Sequence, residues 1–319
     1  MTSNENKTSK WTGFLVIGAL ILVAVVFVVR KVDSSNRAAS IAQLTFQSPA
    51  DAATALVNAA KTGDQTSLAR VLGAQTKALL TSGDTDADKA ALDGFASKYQ
   101  QMNRWVDMSD GSRVLYIGAD NFAFPVPLAK NFSGQWYFDG VAGAQELRAR
   151  DIGRNELLAI DACTALVNAE RIYFSLGGES PQFAQLIVST PGKQDGLYWP
   201  VPETEKSSPL GHLSKFPKSS LASYSSDQPF VIDGYTLRIL TSQGNAAPGG
   251  AIDYISDGRM VGGFAILATP VKYAETGVTT FMIGPDGIVY ERDLGPDTVK
   301  LANSIQQYNP DDTWSPVEQ

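Results

Sequence analysis

Residues 279–292 read TTFMIGPDGIVYER and carry the clearest fold signal in the chain. Two runs rich in branched and aromatic residues, 279–283 and 288–292, flank the tetrapeptide Gly-Pro-Asp-Gly at 284–287. Glycine, proline and aspartate adopt the backbone angles of tight turns, whereas β-branched and aromatic residues favour strands. The stretch therefore predicts a β-hairpin within an antiparallel sheet.

The sequence around this hairpin predicts a second domain, residues 151–319. Its other expected elements are a helix at 156–174, an irregular connection at 192–226, strands at 235–240 and 263–269, and a closing helix at 298–308 followed by an acidic tail. Cys163 lies in the apolar stripe of the first of these helices. It is therefore predicted to be a buried packing residue.

Residues 47–150 predict a first α+β domain. Helices are expected at 49–62, 65–72 and 84–100, and strands at 113–117, 122–128 and 135–138. Ser48 is the expected N-cap of the first helix, Pro49 its first residue, and Gly63 its end. Three helices followed by a curved meander is the element order of NTF2-like folds. This is a fold-level analogy, and such folds serve both enzymes and passive binding modules.

Upstream of these domains, residues 11–29 form an uncharged, strongly apolar run. A helix of this length spans about 28 Å, close to the ~30 Å of a bilayer's hydrocarbon core. Residues 1–30 are predicted to be a retained membrane anchor, since a cleavable signal peptide has a shorter apolar core. Residues 31–46 are expected to form a stalk. The positive charges on the two sides of the apolar run are nearly balanced, so they do not decide its orientation. Because anchored domains of this kind are usually exported, we expect the chain to lie in the inner membrane with its bulk outside the cytoplasm.

Composition excludes several classes of function. The formal net charge is −7 and no cluster of Lys and Arg follows the first forty residues, which argues against a nucleic acid partner. Cys163 is the single cysteine and His212 the single histidine, so intrachain disulfides, Cys-x-x-Cys pairs and multi-histidine metal sites are excluded. His212 lies in a polar stretch typical of a surface loop. We expect no cofactor and no metal, although carboxylate-only chemistry stays open.

Several motifs spread over the chain carry a family resemblance: Trp136–Gly140, Ile152–Glu156, Ser189–Lys193, Asp195–Trp199 and Ala247–Gly250, with Gly287, Val289, Tyr290, Asp293, Leu294 and Gly295. Together they resemble bacterial proteins grouped as domain of unknown function 2950, over about residues 46–314. The resemblance implies no particular activity.

A second similarity concerns the C-terminal half. The helix at 155–173, the passage 180–186 and the strands that follow resemble the helix, αβ-loop and β-meander of type IV pilins and pseudopilins. Pilins join their apolar N-terminal helix directly to this domain, whereas about 120 residues intervene here. The resemblance thus implies a pilin-like helix-plus-antiparallel-sheet domain used as a module.

The densest polar group lies at the junction of the two predicted domains: Glu146, Arg148, Arg150, Asp151, Arg154, Asn155 and Glu156. Arg150, Arg154 and Glu156 are its candidate ligand- or partner-binding residues, because guanidinium groups grip carboxylates and phosphates bidentately. The alternative is a structural network of ion pairs, with the acidic residues at a helix N-terminus.

Asp195, Tyr198 and Trp199 are the second set of candidate binding residues. They lie in the sequence DGLYWP at 195–200, which combines a turn with two aromatic rings. Such rings stack on a sugar or a peptide. The alternative is that they pin a long loop to the core.

Two functions from different classes follow. The first is a membrane-anchored envelope module that binds another protein or a surface polymer without catalysis. The second is a carboxylate-based hydrolase or transferase acting in a cleft between the domains. Paired inward-facing carboxylates with raised pKa values favour the enzyme, and an apolar, uncharged groove favours binding.

Overall fold

The described part of the chain consists of α-helices and mostly antiparallel sheets, which confirms the predicted α+β class. The structure is a computed structural model and describes residues 42–79, 81, 83–201, 207–212 and 224–318. The predicted anchor, residues 1–30, lies outside these ranges. No helix inside them combines the length and the apolar composition that crossing a membrane requires.

Three helices open the described chain at the positions that the sequence predicts: α1 Pro49–Thr62, α2 Gln65–Leu72 and α3 Thr85–Gln101. The Ser48 side chain accepts a hydrogen bond from the Asp51 amide, and Gly63 ends α1 in the left-handed conformation, with φ 65°. Asp64 and Asp84 cap the next two helices in the same way as Ser48. A 3₁₀ turn, Ala74–Leu79, follows α2.

A five-stranded sheet follows, formed by β1 Asn103–Asp107, β2 Arg113–Ile117, β3 Phe122–Ala123, β4 Leu128–Lys130 and β5 Trp136–Phe138. The strand order is β1-β2-β4-β5, and β3 also pairs with β2. The single strand expected at 122–128 is wrong, because Pro125 and Pro127 lack the backbone N–H that a ladder needs and the chain leaves the sheet between β3 and β4. β1 was not predicted.

The first hydrophobic core lies between α1, α2 and this sheet, and Leu56, Leu68, Leu115 and Phe138 are central to it. Residues 43–46, assigned to the stalk above, pack onto it. The Phe46 amide donates to the Trp136 carbonyl at 2.7 Å.

Helix α4, Gly140–Leu176, is the longest element and passes from the first core to a second one. Its predicted start near residue 156 is wrong by about four turns. Asp139 caps it by accepting hydrogen bonds from the Val141 and Ala142 amides, both at 3.0 Å. Gly143 packs against Val126, where a Cβ atom would lie 2.7 Å from the valine. Glycine serves here as a close-packing residue inside a helix.

The strands after α4 are β6 Leu186–Val188, β7 Gly196–Tyr198, β8 Phe230–Ile232, β9 Tyr235–Leu240, β10 Ser242–Gln243, β11 Ile252–Asp253, β12 Ile255–Ser256, β13 Arg259–Met260, β14 Ala265–Pro270, β15 Thr279–Ile283, β16 Val289–Asp293 and β17 Ser315–Pro316. Six of them form a sheet in the order β17-β16-β15-β14-β9-β8. Within the segment expected to be irregular, β7 pairs in parallel with β6.

The predicted hairpin at 279–292 is confirmed, with Ile283 opposite Val289. Its turn is closed by the Gly287 amide, which donates to the Gly284 carbonyl, and Gly287 has a φ of 81°. The closing helix α5, Thr298–Ser304, is shorter than predicted. The chain then extends, and β17 in the acidic tail pairs with β16.

Helices cover both faces of the six-stranded sheet. α4 packs on the face that carries Tyr235 and Phe281, and Cys163 of α4 is fully buried there, as predicted. α5 lies over the opposite face, where Arg238 donates to its carbonyls. This explains why all six residues of β14 are buried.

Candidate functional site

A groove of about 420 Å³ lies between the first sheet and the start of α4. We call it the Arg150 groove. Its apolar lining residues are Met108, Val114, Tyr116, Ala123, Phe124, Pro125, Pro127 and Ala142, and its polar ones are Ser109, Asp110, Ser112, Glu146 and Arg150. Of the residues that the sequence singles out for binding, Arg150 is the one that lines it.

Helix α4 supplies one wall of the groove because Ala142, Glu146 and Arg150 are spaced four residues apart and share a helix face. Arg150 is held from two sides. Its Nε lies 2.8 Å from Glu146 Oε1, and its Nη1 donates to the Ala123 carbonyl at 2.9 Å. The guanidinium also lies 5.5 Å from the centre of the Phe122 ring, within cation–π range.

The first sheet supplies the other wall. Leu115 and Ile117 of β2 point into the first core, so the alternating residues Val114 and Tyr116 face outward into the groove. The guanidinium of Arg104 lies 4.7 Å from the centre of the Tyr116 ring. Tyr116 thus presents an aromatic surface held by a neighbouring cation.

The Asp110 carboxylate of the groove is a poor proton donor at neutral pH. Hydrogen bonds from the Ser112 hydroxyl and amide lower the pKa of Asp110. Glu146 is paired with Arg150. The groove accordingly combines apolar side chains with the Glu146–Arg150 ion pair and the Asp110 carboxylate.

Glu156 lies on α4 beyond the groove and binds a loop of the second half. Its Oε1 accepts hydrogen bonds from the amides of Val278 and Thr279, at 2.9 and 3.0 Å. The neighbouring Asn155 donates to the Thr276 carbonyl at 3.0 Å. These contacts fix the loop between β14 and β15.

Glu156 also has a carboxylate neighbour, Glu291 of β16. Burial, and secondly the charge of Glu156, raise the pKa of Glu291. Neither side chain lines the Arg150 groove. Arg154, three residues from Asp151, pairs with it at 2.8 Å and is 64% exposed.

The structure separates the second candidate set from Arg150. Tyr198 is buried in the second core, with 8% of its surface exposed, because it belongs to β7. Asp195 accepts a hydrogen bond from the Thr190 amide at 2.8 Å. Trp199 is half-buried, and its Nε1 has no hydrogen-bond partner among the described residues. Their positions match those of residues that hold a loop to a core.

Glu170 is a buried acid that the sequence pattern did not single out. It lies in the second half of α4, fully buried, and its Oε2 accepts a hydrogen bond from the Ala184 amide at 2.8 Å. Within the described residues its Oε1 has no partner. Burial raises the pKa of Glu170 to about 8. A glutamate at an apolar helix position was the available signal.

Candidate metal ligands are not grouped in the part of the chain that the structure describes, where no three His, Cys, Asp or Glu side chains are arranged to hold an ion. Burial raises the pKa of Cys163 to about 12, so its thiol is protonated at neutral pH.

The fold and the groove together define an α+β protein with a surface suited to binding. The chain belongs to the DUF2950 family, described as a protein of unknown function, whose model matches residues 43–317. This confirms the resemblance found in the sequence motifs. No curated protein and no solved structure matches the chain.

Proposed function

We propose that this protein is a binding module of the bacterial cell envelope, held at the inner membrane by residues 11–29, with the Arg150 groove as its binding surface. The partner is a segment of another envelope protein or a surface polymer. The observation that carries the proposal is the groove itself, since a concave volume of about 420 Å³ with mainly apolar lining and a few polar groups is typical of a ligand site.

The predicted organisation of the whole chain supports this proposal. A predicted anchor and stalk ahead of the first domain fit a protein that acts at a membrane. A pilin-like second half used as a module fits a protein that holds a partner rather than transforming it.

Site-specific photocrosslinking in native membranes tests the groove. A photoreactive residue in place of Met108, 44% exposed at the groove, should give a discrete crosslinked product. The matched control is Phe132, a fully exposed apolar residue outside the groove, where no such product is expected. Tyr116→Ala should reduce the product at position 108. Equal products at both positions would show that the crosslinks arise from non-specific contacts of exposed apolar residues.

Attachment has its own test. If residues 1–30 are an uncleaved anchor, the protein stays with membranes after a carbonate wash and retains Met1 to Arg30. An N-terminus near Ile41 would contradict the retained anchor and would not bear on the proposal that the Arg150 groove binds a partner.

A carboxylate-based hydrolase or transferase is the second candidate, supported by the Glu156–Glu291 pair and the raised pKa of Glu291. In that case the purified full chain should release soluble fragments from an envelope polymer, and Glu291→Gln should abolish the release. No release by the unaltered protein argues against this function.

A further inference from the structure

Two further grooves meet at Arg238, on the face of the six-stranded sheet that α5 covers. They have volumes of about 380 and 200 Å³ and share Thr236, Arg238 and Asn303 in their linings. The larger extends toward Gln185, and the smaller toward Val271 and Val299. We call this elongated surface the Arg238 groove.

Arg238 has N–H donors that its observed hydrogen bonds do not use. Its Nη2 donates to the carbonyls of Ala302, at 2.8 Å, and Ile305, at the end of α5. A guanidinium carries five N–H donors, so the groups on Nε and Nη1 remain, and they make no hydrogen bond to the described residues. The side chain is half-buried, and burial lowers its pKa.

Among the residues that the structure describes, no carboxylate lines either part of this groove. The other arginine-lined grooves differ. Arg150 faces Glu146 in the first, and Arg292 shares a groove with Asp311. Arg70 lines a groove without a carboxylate but is exposed, so water solvates its charge. In a chain with 33 acidic and 26 basic residues, a half-buried cation whose groove has no acidic side chain among the described residues marks a place for an external anion.

We infer that the Arg238 groove binds an acidic peptide segment in extended form, with the peptide's carboxylate on Arg238. The neutral side chains of Thr236 and Asn303, which line both parts, and of Gln185 in the larger part offer hydrogen bonds to a peptide backbone. The partly exposed Val271 and Val299 offer apolar contact in the smaller part. A charge-assisted hydrogen bond to Arg238 gives the site its specificity. This site is separate from the Arg150 groove and does not depend on it.

Fluorescence anisotropy with the purified full chain tests the inference. The probe is fluorescein-labelled Gly-Ser-Asp-Ser-Gly amide, and its comparison is the same peptide with Asn in place of Asp. We expect saturable binding of the Asp peptide and at least about tenfold weaker binding of the Asn peptide. The affinity should fall as salt rises, because the contact is ionic.

Asn303→Asp provides the decisive variant, because it is isosteric, exposed and placed inside the groove. The new carboxylate should pair with Arg238 and weaken the Asp peptide about tenfold or more without lowering the melting temperature. Gln307→Glu adds the same charge nearby, on an exposed residue outside the groove, and should change nothing.

The inference would be overturned by no binding at millimolar protein, by equal binding of the two peptides, or by equal weakening by both variants. Displacement of the peptide by an equal concentration of sodium acetate would also overturn it, since that identifies a site for small anions.

Discussion

The two halves of helix α4 place charge in opposite environments. In the first half, Glu146–Arg150 and Asp151–Arg154 are ion pairs whose side chains are 35–64% exposed. In the second half, Ala159, Cys163 and Leu166 are fully buried, and Glu170 is buried among them. One helix therefore carries charges that water solvates and an acid that water does not reach.

This difference teaches where charge governs stability and where it serves recognition. Exposed pairs contribute about 0–1 kcal/mol each, because solvent screens them. A buried carboxyl is forced into its neutral form, so its proton becomes part of the folding equilibrium. The ion pairs of the first half are thus accessible to partners, whereas Glu170 in the second half contributes to the pH dependence of the fold.

The largest expected effect is a loss of stability at rising pH, caused by Glu170. Its pKa is about 8 in the folded chain, against an ordinary value of 4.5. Between these values the folded state keeps a proton that the unfolded state has lost. The free energy of unfolding should therefore fall by about 1.4 kcal/mol per pH unit through this window, and the contribution is complete only below pH 4.5.

Glu170→Gln isolates this effect, because it keeps an acceptor for the Ala184 amide and cannot ionise. Denaturant unfolding of the unaltered protein and of this variant from pH 5 to 8 gives the difference directly. Burial, and secondly the charges of Asp195 and Glu170, raise the pKa of Tyr173 above its ordinary value, so Tyr173 titrates above this window. Glu179→Gln, an exposed acid that follows the same helix, serves as the control. A pH-independent difference between the unaltered protein and the Glu170→Gln variant would contradict the assignment.

The next effect concerns Glu156, which separates the two halves of α4. Glu156→Ala leaves the Val278 and Thr279 amides without their acceptor, and a loss of about 1–3 kcal/mol is expected. Glu275→Ala, on the same loop but 60% exposed, should cost less than about 0.5 kcal/mol. Equal small losses in chemical denaturation would show that the loop does not need Glu156.

The glycines of α4 give an effect of similar size and a more specific test. Gly143→Ala places a methyl group against Val126 and should destabilise the chain by about 1–3 kcal/mol. Gly153→Ala meets nothing within 4 Å and should stabilise the same helix by up to about 1 kcal/mol. Val126→Ala combined with Gly143→Ala should recover part of the loss. Melting temperatures that move together for both glycines would contradict the packing argument.

These glycines also show where the sequence was informative. Caps and turn residues predicted α1, α2 and the 279–292 hairpin, because those signals act within a few residues. The start of α4 was missed because Gly140, Gly143 and Gly153 resemble breakers, and only the packed structure shows that Gly143 sits against Val126. Pairing of β17 with β16 depends in the same way on contacts distant in sequence.

The candidate site likewise combines a part that the local sequence predicts with a part that depends on contacts between distant residues. Arg150 was predicted from a dense run of charged residues, and the structure places it in a groove. The other groove wall could not be predicted, since it comes from residues 108–127, which only the sheet brings beside α4. Glu156 was predicted as a binding residue from the same run, yet its contacts are with the backbone of a distant loop.

The smallest expected effects are those of Arg154 and Arg150, and they separate structure from recognition most sharply. Arg154→Ala removes an exposed pair and should cost less than about 0.5 kcal/mol. Arg150→Ala also removes the bond to the Ala123 carbonyl and the contact with Phe122, so about 1 kcal/mol is expected. The effects of both substitutions are measured as melting temperatures and as the amount of crosslinked product at position 108. We expect Arg150→Ala to lower the melting temperature measurably and Arg154→Ala to leave it nearly unchanged. An Arg150→Ala protein with an unaltered melting temperature and no crosslinked partner would instead mean that Arg150 acts on the ligand and contributes nothing to the fold.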